Sequence, residues 1–224
     1  MSVITIFSGI FCSADAVVRD VMDSAGYRLI TDEQVVRMAA KTSGMPGNKV
    51  RRAFSAKTSV FNKFTHEKEC SIACLRLALA TELEAGPAVV HGFSALLSPQ
   101  AITHVLRVCI IAGMPYRMEQ AGVVQGLAEK DALRQIHAQD ADSAAWAETL
   151  FSVKDPWDKS LYDMVLPMNR VNVAKAGALI EENLIKDAIR RSDASMRAQK
   201  DFLLSATVEM ALSRAGHDVS VCLL

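Results

Sequence analysis

The stretch that decides the fold is Val3-Ile4-Thr5-Ile6-Phe7-Ser8-Gly9-Ile10-Phe11-Cys12-Ser13-Ala14-Asp15. Its first four residues are apolar or β-branched, which is typical of a strand in the core of a domain. Gly9 opens a short turn, and residues 16–21 have the pattern of a helix. Free backbone N–H groups and the helix dipole converge where such a turn meets a helix. The stretch therefore predicts a strand–turn–helix unit whose turn can bind an anion.

The turn lacks the charged side chains of a catalytic phosphate loop. In the pattern G-x-x-x-x-G-K-[ST], the lysine contacts the β- and γ-phosphates and the hydroxyl group binds magnesium. Here Ala14 stands in the lysine position and Asp15 in the hydroxyl position. The alternative is a plain strand-to-helix turn that Ser13 caps, with Phe11 and Cys12 packed inward. The phosphate-loop-like residues that we predict are Ser8, Gly9, Phe11, Cys12, Ser13, Ala14 and Asp15.

The composition indicates a globular protein with no general affinity for polyanions. Half of the 224 residues are hydrophobic and the formal net charge is zero, which argues against disorder and against nonspecific binding to nucleic acids or membranes. The five cysteines are an odd number without the spacing of a disulfide framework, which suits a reducing cytosol. No apolar run in the sequence reaches the roughly 20 residues that span a bilayer. We therefore expect a cytoplasmic protein.

Short apolar runs alternate with longer helical patterns, which is typical of a parallel sheet covered by helices. The predicted strands are residues 3–6, 88–91, 104–111 and 162–167. The predicted helices are residues 15–25, 33–41, 67–85, 114–125, 129–147, 173–191 and 193–215. The segment 105–111 is almost continuously apolar, as expected of a strand buried on both faces. The predicted fold class is α/β, with three layers and a mainly parallel sheet flanked by helices.

The pattern changes near residue 190, which suggests a domain boundary. We predict one domain over residues 1–190 and the start of a truncated second α/β module over residues 191–224. The reason is that the sequence stops in or just after an apolar strand at 219–224, with no partner strand to protect its edge.

A basic segment follows the second predicted helix. Eight lysines and arginines lie between residues 37 and 68, against the single acid Glu67. Arg51 and Arg52 are the best candidates for binding an anion, because a guanidinium fork matches the geometry of a phosphate. The alternative is a solvated basic face. Interleaved phenylalanines also occur in proteins that bind single-stranded nucleic acid, but their spacing here fits packing of a helical segment better. We therefore expect a nucleotide or small anion as partner and no nucleic acid.

Three further residues are candidates for contacting such an anion. His91 follows a predicted strand, where ligands often bind in open α/β folds. Arg107 and Arg117 could reach a phosphate or a base of a bound nucleotide. The alternatives are a turn histidine in the first case and ion pairs at strand and helix ends in the others.

The sequence predicts neither a metal site nor a catalytic residue. An acidic stretch could hold magnesium, but solvated loop charge is the favoured interpretation. Cys70 and Cys74 share one face of a predicted helix, yet no second pair or histidine completes a tetrahedral zinc site, so buried free thiols are expected. The acidic stretch consists of Asp140, Asp142, Asp155 and Asp158.

Together these segments resemble the cytidylate-kinase-like family of nucleoside monophosphate kinases, over roughly residues 3–190. The first strand entering a phosphate turn is similar to the opening of that family. The sequence Gly-Pro-Ala-Val-Val-His-Gly at 86–92 resembles the family's strand that ends in a glycine-arginine-glycine turn. The other similar segments are the passage after the first helix (25–32), the next strand and its helix (106–110 and 115–117) and the final strand (162–166).

The resemblance implies a phosphate-loop kinase fold with an acceptor-binding helical insert at 35–85 and a lid-like region at 129–160. In such kinases phosphate passes from ATP to a nucleoside monophosphate, and cations stabilise charge on the phosphoryl oxygens. The chain lacks the expected cations at Ala14, in the turn His91-Gly92-Phe93 and at Ser143 of the lid-like region. Losing one such donor costs about 3–4 kcal/mol of transition-state stabilisation.

The leading hypothesis from the sequence is a degenerate, non-catalytic domain that binds a nucleotide or anion for regulation or sensing. The first alternative is an active kinase for CMP or a related substrate, which would recruit a distant cation such as Lys41 or Arg51. The second is a scaffold or oligomerisation domain whose cleft is filled by Phe11 and Phe93. ATP and Mg²⁺ are expected as cofactors only under the kinase alternative, and no other cofactor is implied.

Overall fold

A five-stranded, all-parallel sheet forms the centre of the protein. The computed structural model describes residues 3–56 and 66–215. The strands lie in the order β2-β3-β1-β4-β5, and all four neighbouring pairs are parallel. Their bounds are β1 Val3–Ser8, β2 Arg28–Thr31, β3 Ala88–His91, β4 Val105–Ile111 and β5 Met164–Pro167.

Eight α-helices flank this sheet within the described ranges. They are α1 Ala14–Ala25, α2 Asp32–Ser43, α3 Gly47–Arg51, α4 Glu67–Glu84, α5 Met114–Gln125, α6 Glu129–Phe151, α7 Val173–Leu184 and α8 Asp193–Arg214. Short 3-10 helices cover Arg52–Phe54, Phe93–Leu97, Lys159–Leu161 and Asp187–Ile189. In this part of the chain no helix combines the length and the apolarity needed to cross a membrane.

The helices cover both faces of the sheet, so the predicted three-layer α/β fold is confirmed. One core lies between the sheet and the helices α2, α4 and α8, and it includes the fully buried Trp146 of α6. The other core lies under α1 and α7. Strand β4 contributes to both cores and is buried over Val105–Ile110, as its continuous apolar run predicts.

The sequence patterns missed strand β2. Only Ile30 of its four residues is fully buried, because β2 lies at the edge of the sheet and pairs with β3 alone. A half-covered edge strand needs no continuous apolar run, so the sequence gives little signal for it. The helix predicted at 173–191 is also shorter than expected, since α7 ends at Leu184 and a 3-10 turn follows.

The order of the strands leaves a crevice at the carboxyl end of β1. The chain leaves β1 towards β2 on one side of the sheet and leaves the neighbouring β4 towards β5 on the other side. Ligands of open α/β sheets bind at such a switch point. The turn of residues 9–13 lies there, and the Gly9 N–H donates to the Ile110 carbonyl at 3.1 Å.

Helix α8 packs on the same core as the residues before it. Phe202 and Ala206 are buried in the core with α4. The fully buried His104, which precedes β4, also contacts α8. Its ring nitrogens lie 2.7 Å from Ser195 Oγ and 2.9 Å from Gln199 Oε1. The strand predicted at 219–224 lies outside the described residues, so the second module stays a prediction.

The packing of α8 can be tested with one pair of variants. Phe202→Ala should lower the free energy of unfolding by about 3–5 kcal/mol, because it leaves a cavity in the core. Leu204→Ala on the same helix is the control, since Leu204 is 53% exposed and its truncation should change stability by less than about 0.5 kcal/mol. Urea denaturation measures both, and equal effects would contradict this packing.

Candidate functional site

The turn after β1 takes a backbone shape that favours glycine, although two of its residues are not glycine. Phe11 has φ 60° and Ser13 has φ 57°, both in the left-handed region. Such a conformation costs a non-glycine residue about 1–2 kcal/mol, and strain of this kind gathers at functional sites. The turn therefore holds two non-glycine residues in a conformation that glycine would adopt without strain.

The alternative prediction, a plain strand-to-helix turn capped by Ser13 with Phe11 and Cys12 packed inward, agrees with the structure only in part. Cys12 does pack inward, and burial raises the pKa of its thiol to about 11, so the thiol stays protonated at neutral pH. Ser13, however, does not cap α1 with its side chain. Its Oγ lies 2.8 Å from the Tyr116 hydroxyl and also donates to Gln120 at 3.4 Å, so it joins the turn to α5.

Arg117 of α5 anchors the turn from below. Its Nε donates to the Ile10 carbonyl at 2.8 Å, and its two terminal nitrogens donate to the two oxygens of Asp140 in α6, both at 2.8 Å. The residue is 6% exposed. A Cβ on Gly9 would lie 3.0 Å from Cys12 Sγ and 3.4 Å from this guanidinium, so glycine permits the close approach. Arg117 therefore forms the structural ion pair of its alternative interpretation, and three of its five N–H donors are engaged in these bonds.

An open cleft of about 480 Å³ lies above the turn. His91, at the end of β3, lies at its base, with Nε2 3.5 Å from Ser8 Oγ and Nδ1 3.6 Å from a carboxylate oxygen of Asp15. Burial lowers the pKa of His91, although the charges of Asp15 and Asp32 oppose the shift. The lining comprises residues 7–16 together with Arg19, Asp32, His91, Gly92, Phe93, Gln120, Val124, Gln125 and Gln139.

Asp32, the first residue of α2, fixes the turn that follows β3. Its carboxylate accepts the backbone N–H groups of Phe93 at 2.9 Å and Ser94 at 2.8 Å. Burial raises the pKa of Asp32, while these N–H groups oppose the shift. Gly92 has φ 114°, and a Cβ there would lie only 2.3 Å from Asp32 Oδ2. Glycine is thus required at this position by both conformation and space.

A second, wider cleft adjoins the first and has a basic rim. The two share Asp15, Asp32, His91, Gly92 and Phe93 in their walls. The second cleft measures about 1,090 Å³ and runs along α2 and α3. Its rim carries the predicted anion ligands Arg51 and Arg52 together with Arg37, and all three are exposed. Arg51 also forms an ion pair with Glu33 at 3.4 Å.

Arg107 lies away from both clefts. Its guanidinium donates to the carbonyl groups of Val105 at 3.0 Å, Ile102 at 3.3 Å and Pro99, and it is 3.9 Å from Asp163. These bonds hold the segment that leads into β4. Of the five predicted anion ligands, the structure therefore places His91, Arg51 and Arg52 in cleft walls, and it places Arg107 and Arg117 in structural pairs.

The predicted acidic stretch is dispersed among separate hydrogen bonds. Asp140 pairs with Arg117, and Asp142 accepts the Ala56 N–H at 2.7 Å. Asp155 and Asp158 each accept a backbone N–H two residues ahead, within their own turns. Among residues 3–56 and 66–215 no three potential metal-binding side chains come together.

The helix of the predicted lid-like region packs against the turn after β3. Ser143 is fully buried on this helix, α6, so its position faces the core. The indole N–H of Trp146 donates to the Phe93 carbonyl at 2.9 Å, and the ring lies edge-on to Phe54 with centroids 5.1 Å apart. These contacts join α6 to the turn after β3 and to the 3-10 helix of residues 52–54.

Sequence reasoning missed the wall that α5 and α6 give to the first cleft. Gln120, Gln125 and Gln139 lie in that wall with Val124. Uncharged amides in two helices carry no motif or charge pattern. The packing of α5 against α6 brings them together, and a helical periodicity would have shown only that they are not on the buried face.

Replacing Gly92 tests the fit between Asp32 and the β3 turn. Gly92→Ala should lower the free energy of unfolding by roughly 2–4 kcal/mol, because the new methyl group would displace Asp32 from two backbone N–H groups. Gly122→Ala, in the exposed interior of α5 with no atom within 4 Å, should instead gain up to about 1 kcal/mol. Thermal and urea denaturation give both values, and a silent Gly92→Ala would refute this account.

The pH dependence of stability tests the burial of His91. Its folded pKa lies below its ordinary value of 6.5, so between these two values the unfolded chain binds a proton that the folded chain does not. Stability should therefore fall as the pH decreases below 6.5, and His91→Gln should reduce that fall. His137→Gln, at an exposed position of α6, is the control. Unfolding free energies measured from pH 8 to 5, with an unchanged slope in His91→Gln, would contradict the prediction.

Several solved structures are similar to this chain over most of its length. An uncharacterized protein from Eubacterium ventriosum is 13% identical with a TM-score of 0.58, over 82% of this chain and 98% of that chain. TT1252 from Thermus thermophilus is 15% identical with a TM-score of 0.48, over 82% and 96%. Shikimate kinase from Acinetobacter baumannii, in complex with shikimate, is 11% identical with a TM-score of 0.40, over 82% and 91%. At such identities the likeness concerns the fold alone.

No curated protein matches the chain. The model of the cytidylate kinase-like family, in contrast, matches residues 3–170, from the start of β1 through the turn after β5. This range includes the anchored turn, both clefts and all five strands. The chain belongs to the cytidylate kinase-like family.

Proposed function

We propose that the protein binds a nucleotide or small anion in its cleft without transferring phosphate, and that it serves as a regulatory or sensor module. One observation carries the proposal: the open cleft at the switch point lacks a cation at the turn where phosphoryl charge would develop. Ala14 presents a methyl group there, and the side chain of Asp15 is 83% exposed. A carboxylate in that place repels the oxygens that a kinase must stabilise.

The nearest buried cation does not compensate for this loss. Arg117 donates one N–H from each terminal nitrogen to Asp140 and its Nε–H to Ile10, and it is not among the described residues that line the first cleft. To reach a ligand it would have to leave Asp140 half-buried and unpaired, and breaking such a pair costs about 3–5 kcal/mol when it is fully buried. Among the described residues that line the first cleft, Arg19 is the one arginine, and it is exposed.

Binding of an anion is better supported in the second cleft. Arg37, Arg51 and Arg52 line that cleft and can present guanidinium forks to a phosphate or carboxylate. The carboxylates that line it as well are Asp15, Asp32, Glu33 and Asp142, of which Glu33 pairs with Arg51. An exposed cluster of this kind supports weak, salt-sensitive binding. That is consistent with recognition of a ligand and does not require chemistry on it.

The two alternatives fit the geometry less well. A scaffold role with a filled cleft is disfavoured by the open volume of about 480 Å³. Phe93 packs instead against Phe7 and Phe54, with ring centroids 5.8 and 5.2 Å apart. An active kinase would need an arginine of the α2–α3 rim to act on the donor phosphates across Asp15 and Asp32.

A coupled ADP-release assay beside a binding titration tests the proposal. The protein with ATP, Mg²⁺ and each nucleoside monophosphate should form no ADP above background, while at least one nucleotide raises the melting temperature. Arg52→Gln should weaken that binding about fivefold, since one charge-assisted contact is lost. Arg197→Gln, at an exposed position of α8, is the matched control. Turnover of ATP that Arg51→Gln or Arg52→Gln abolishes would establish the kinase alternative instead.

A further inference from the structure

The wall of the first cleft formed by α5 and α6 is built from uncharged hydrogen-bonding groups. Gln120 and Gln125 lie on α5, and Gln139 lies on α6. Gln120 uses its carbonyl oxygen to accept from Ser13 Oγ at 3.4 Å, which leaves its amide N–H groups for a ligand. A carboxamide offers two donors and an acceptor without charge. This wall, which we call the amide wall, can therefore match a ligand edge that carries both donors and acceptors.

The charges around the amide wall do not favour a polyphosphate. Two acidic residues, Asp15 and Asp32, and one arginine, Arg19, are among the residues that line this cleft, and burial lowers the pKa of His91 below its ordinary value. Like charges at contact distance repel each other even in water, and more strongly in a cleft. Each further phosphate of a ligand in this cleft would therefore add repulsion from the exposed Asp15.

Apolar side chains stand beside the amide wall. Val124 is 67% exposed at the end of α5, and its neighbour Val123 is 74% exposed. Val124 lines the cleft, and so does the half-buried Phe11 of the strained turn. An apolar surface next to carboxamides suits a planar heterocycle, whose faces are apolar and whose edge hydrogen-bonds. Glutamine pairs in this way with the donor and acceptor on the edge of adenine.

We infer that the cleft above the turn holds the uncharged heterocycle of a nucleoside-like ligand against the amide wall, and not a polyphosphate. Any phosphate of that ligand then lies in the second cleft, where Arg37, Arg51 and Arg52 offset the carboxylates of the shared wall. The inference rests on the proposed function, because it assumes a cleft used for binding alone. The cleft above the turn would then hold an uncharged group of the ligand, whereas a kinase would place charged phosphates there.

Titration calorimetry with the full chain tests the inference. The probes are adenosine, cytidine, guanosine and uridine, their monophosphates, and ATP with and without Mg²⁺. At least one nucleoside should bind, its monophosphate should bind equally or more tightly, and the matching triphosphate should bind more weakly. ATP with Mg²⁺ as the tightest ligand would overturn the inference, as would the absence of nucleoside binding.

Variants of the amide wall locate the site. Gln139→Leu and Gln125→Leu should each weaken nucleoside binding about tenfold, because a ligand donor or acceptor loses its partner. Gln135→Leu is the matched control, since Gln135 lies one turn earlier on α6 and outside the lining of the cleft. Melting temperatures verify that each variant is folded. Equal affinities in all three variants would overturn the placement.

The charge argument has its own readout. Asp15→Asn should raise the affinity for ATP about fivefold by removing one repulsive charge, and it should leave the affinity for the nucleoside unchanged. The affinity for the nucleoside should also be independent of salt concentration, whereas the affinity for ATP should change with it. Nucleoside binding that falls steeply with salt would overturn the inference. Formation of ADP would instead refute the proposed function, so the two failures are distinguishable.

Discussion

The ion pair between Arg117 and Asp140 is the interaction on which the site depends. The same guanidinium donates to the Ile10 carbonyl in the turn after β1. It therefore joins that turn to α5 and α6. Within the same turn, Phe11 and Ser13 have left-handed backbone conformations that are strained for residues other than glycine. Arg117 itself does not line the cleft above the turn, so its guanidinium acts in the structure of the turn.

The cleft consequently has two halves of different character. The half above the turn has the amide wall, Val124 and the exposed carboxylate of Asp15. The half along α2 and α3 has three exposed arginines. Asp32 and Gly92 line both halves, and the carboxylate of Asp32 accepts two hydrogen bonds from the turn after β3. A ligand that spans both halves would place its uncharged part and its anionic part in a defined order.

Much of the architecture was predictable because burial leaves a pattern in the chain. The apolar run of β4 and the bounds of α5 were predicted correctly. A strand covered on both faces is a continuous apolar run, and Pro115 and Gly126 mark the two ends of α5. Strand β2 was missed because an edge strand buries only one of its residues fully. The roles of Arg107 and Arg117 could not be decided from the sequence, since an arginine that pairs with a ligand and one that pairs with a carbonyl look alike there.

The sequence by itself determined the α/β class, the position of the turn after β1 and the absence of a lysine from it, because these depend on local residue types and spacing. The tertiary structure decided which side chains meet at that turn. Arg117 and Asp140 lie 23 residues apart on two different helices, and the glutamines of α5 and α6 belong to no motif. Only the packing of two helices over the end of a parallel sheet brings them to one cleft, and packing is a property of the whole core rather than of any segment.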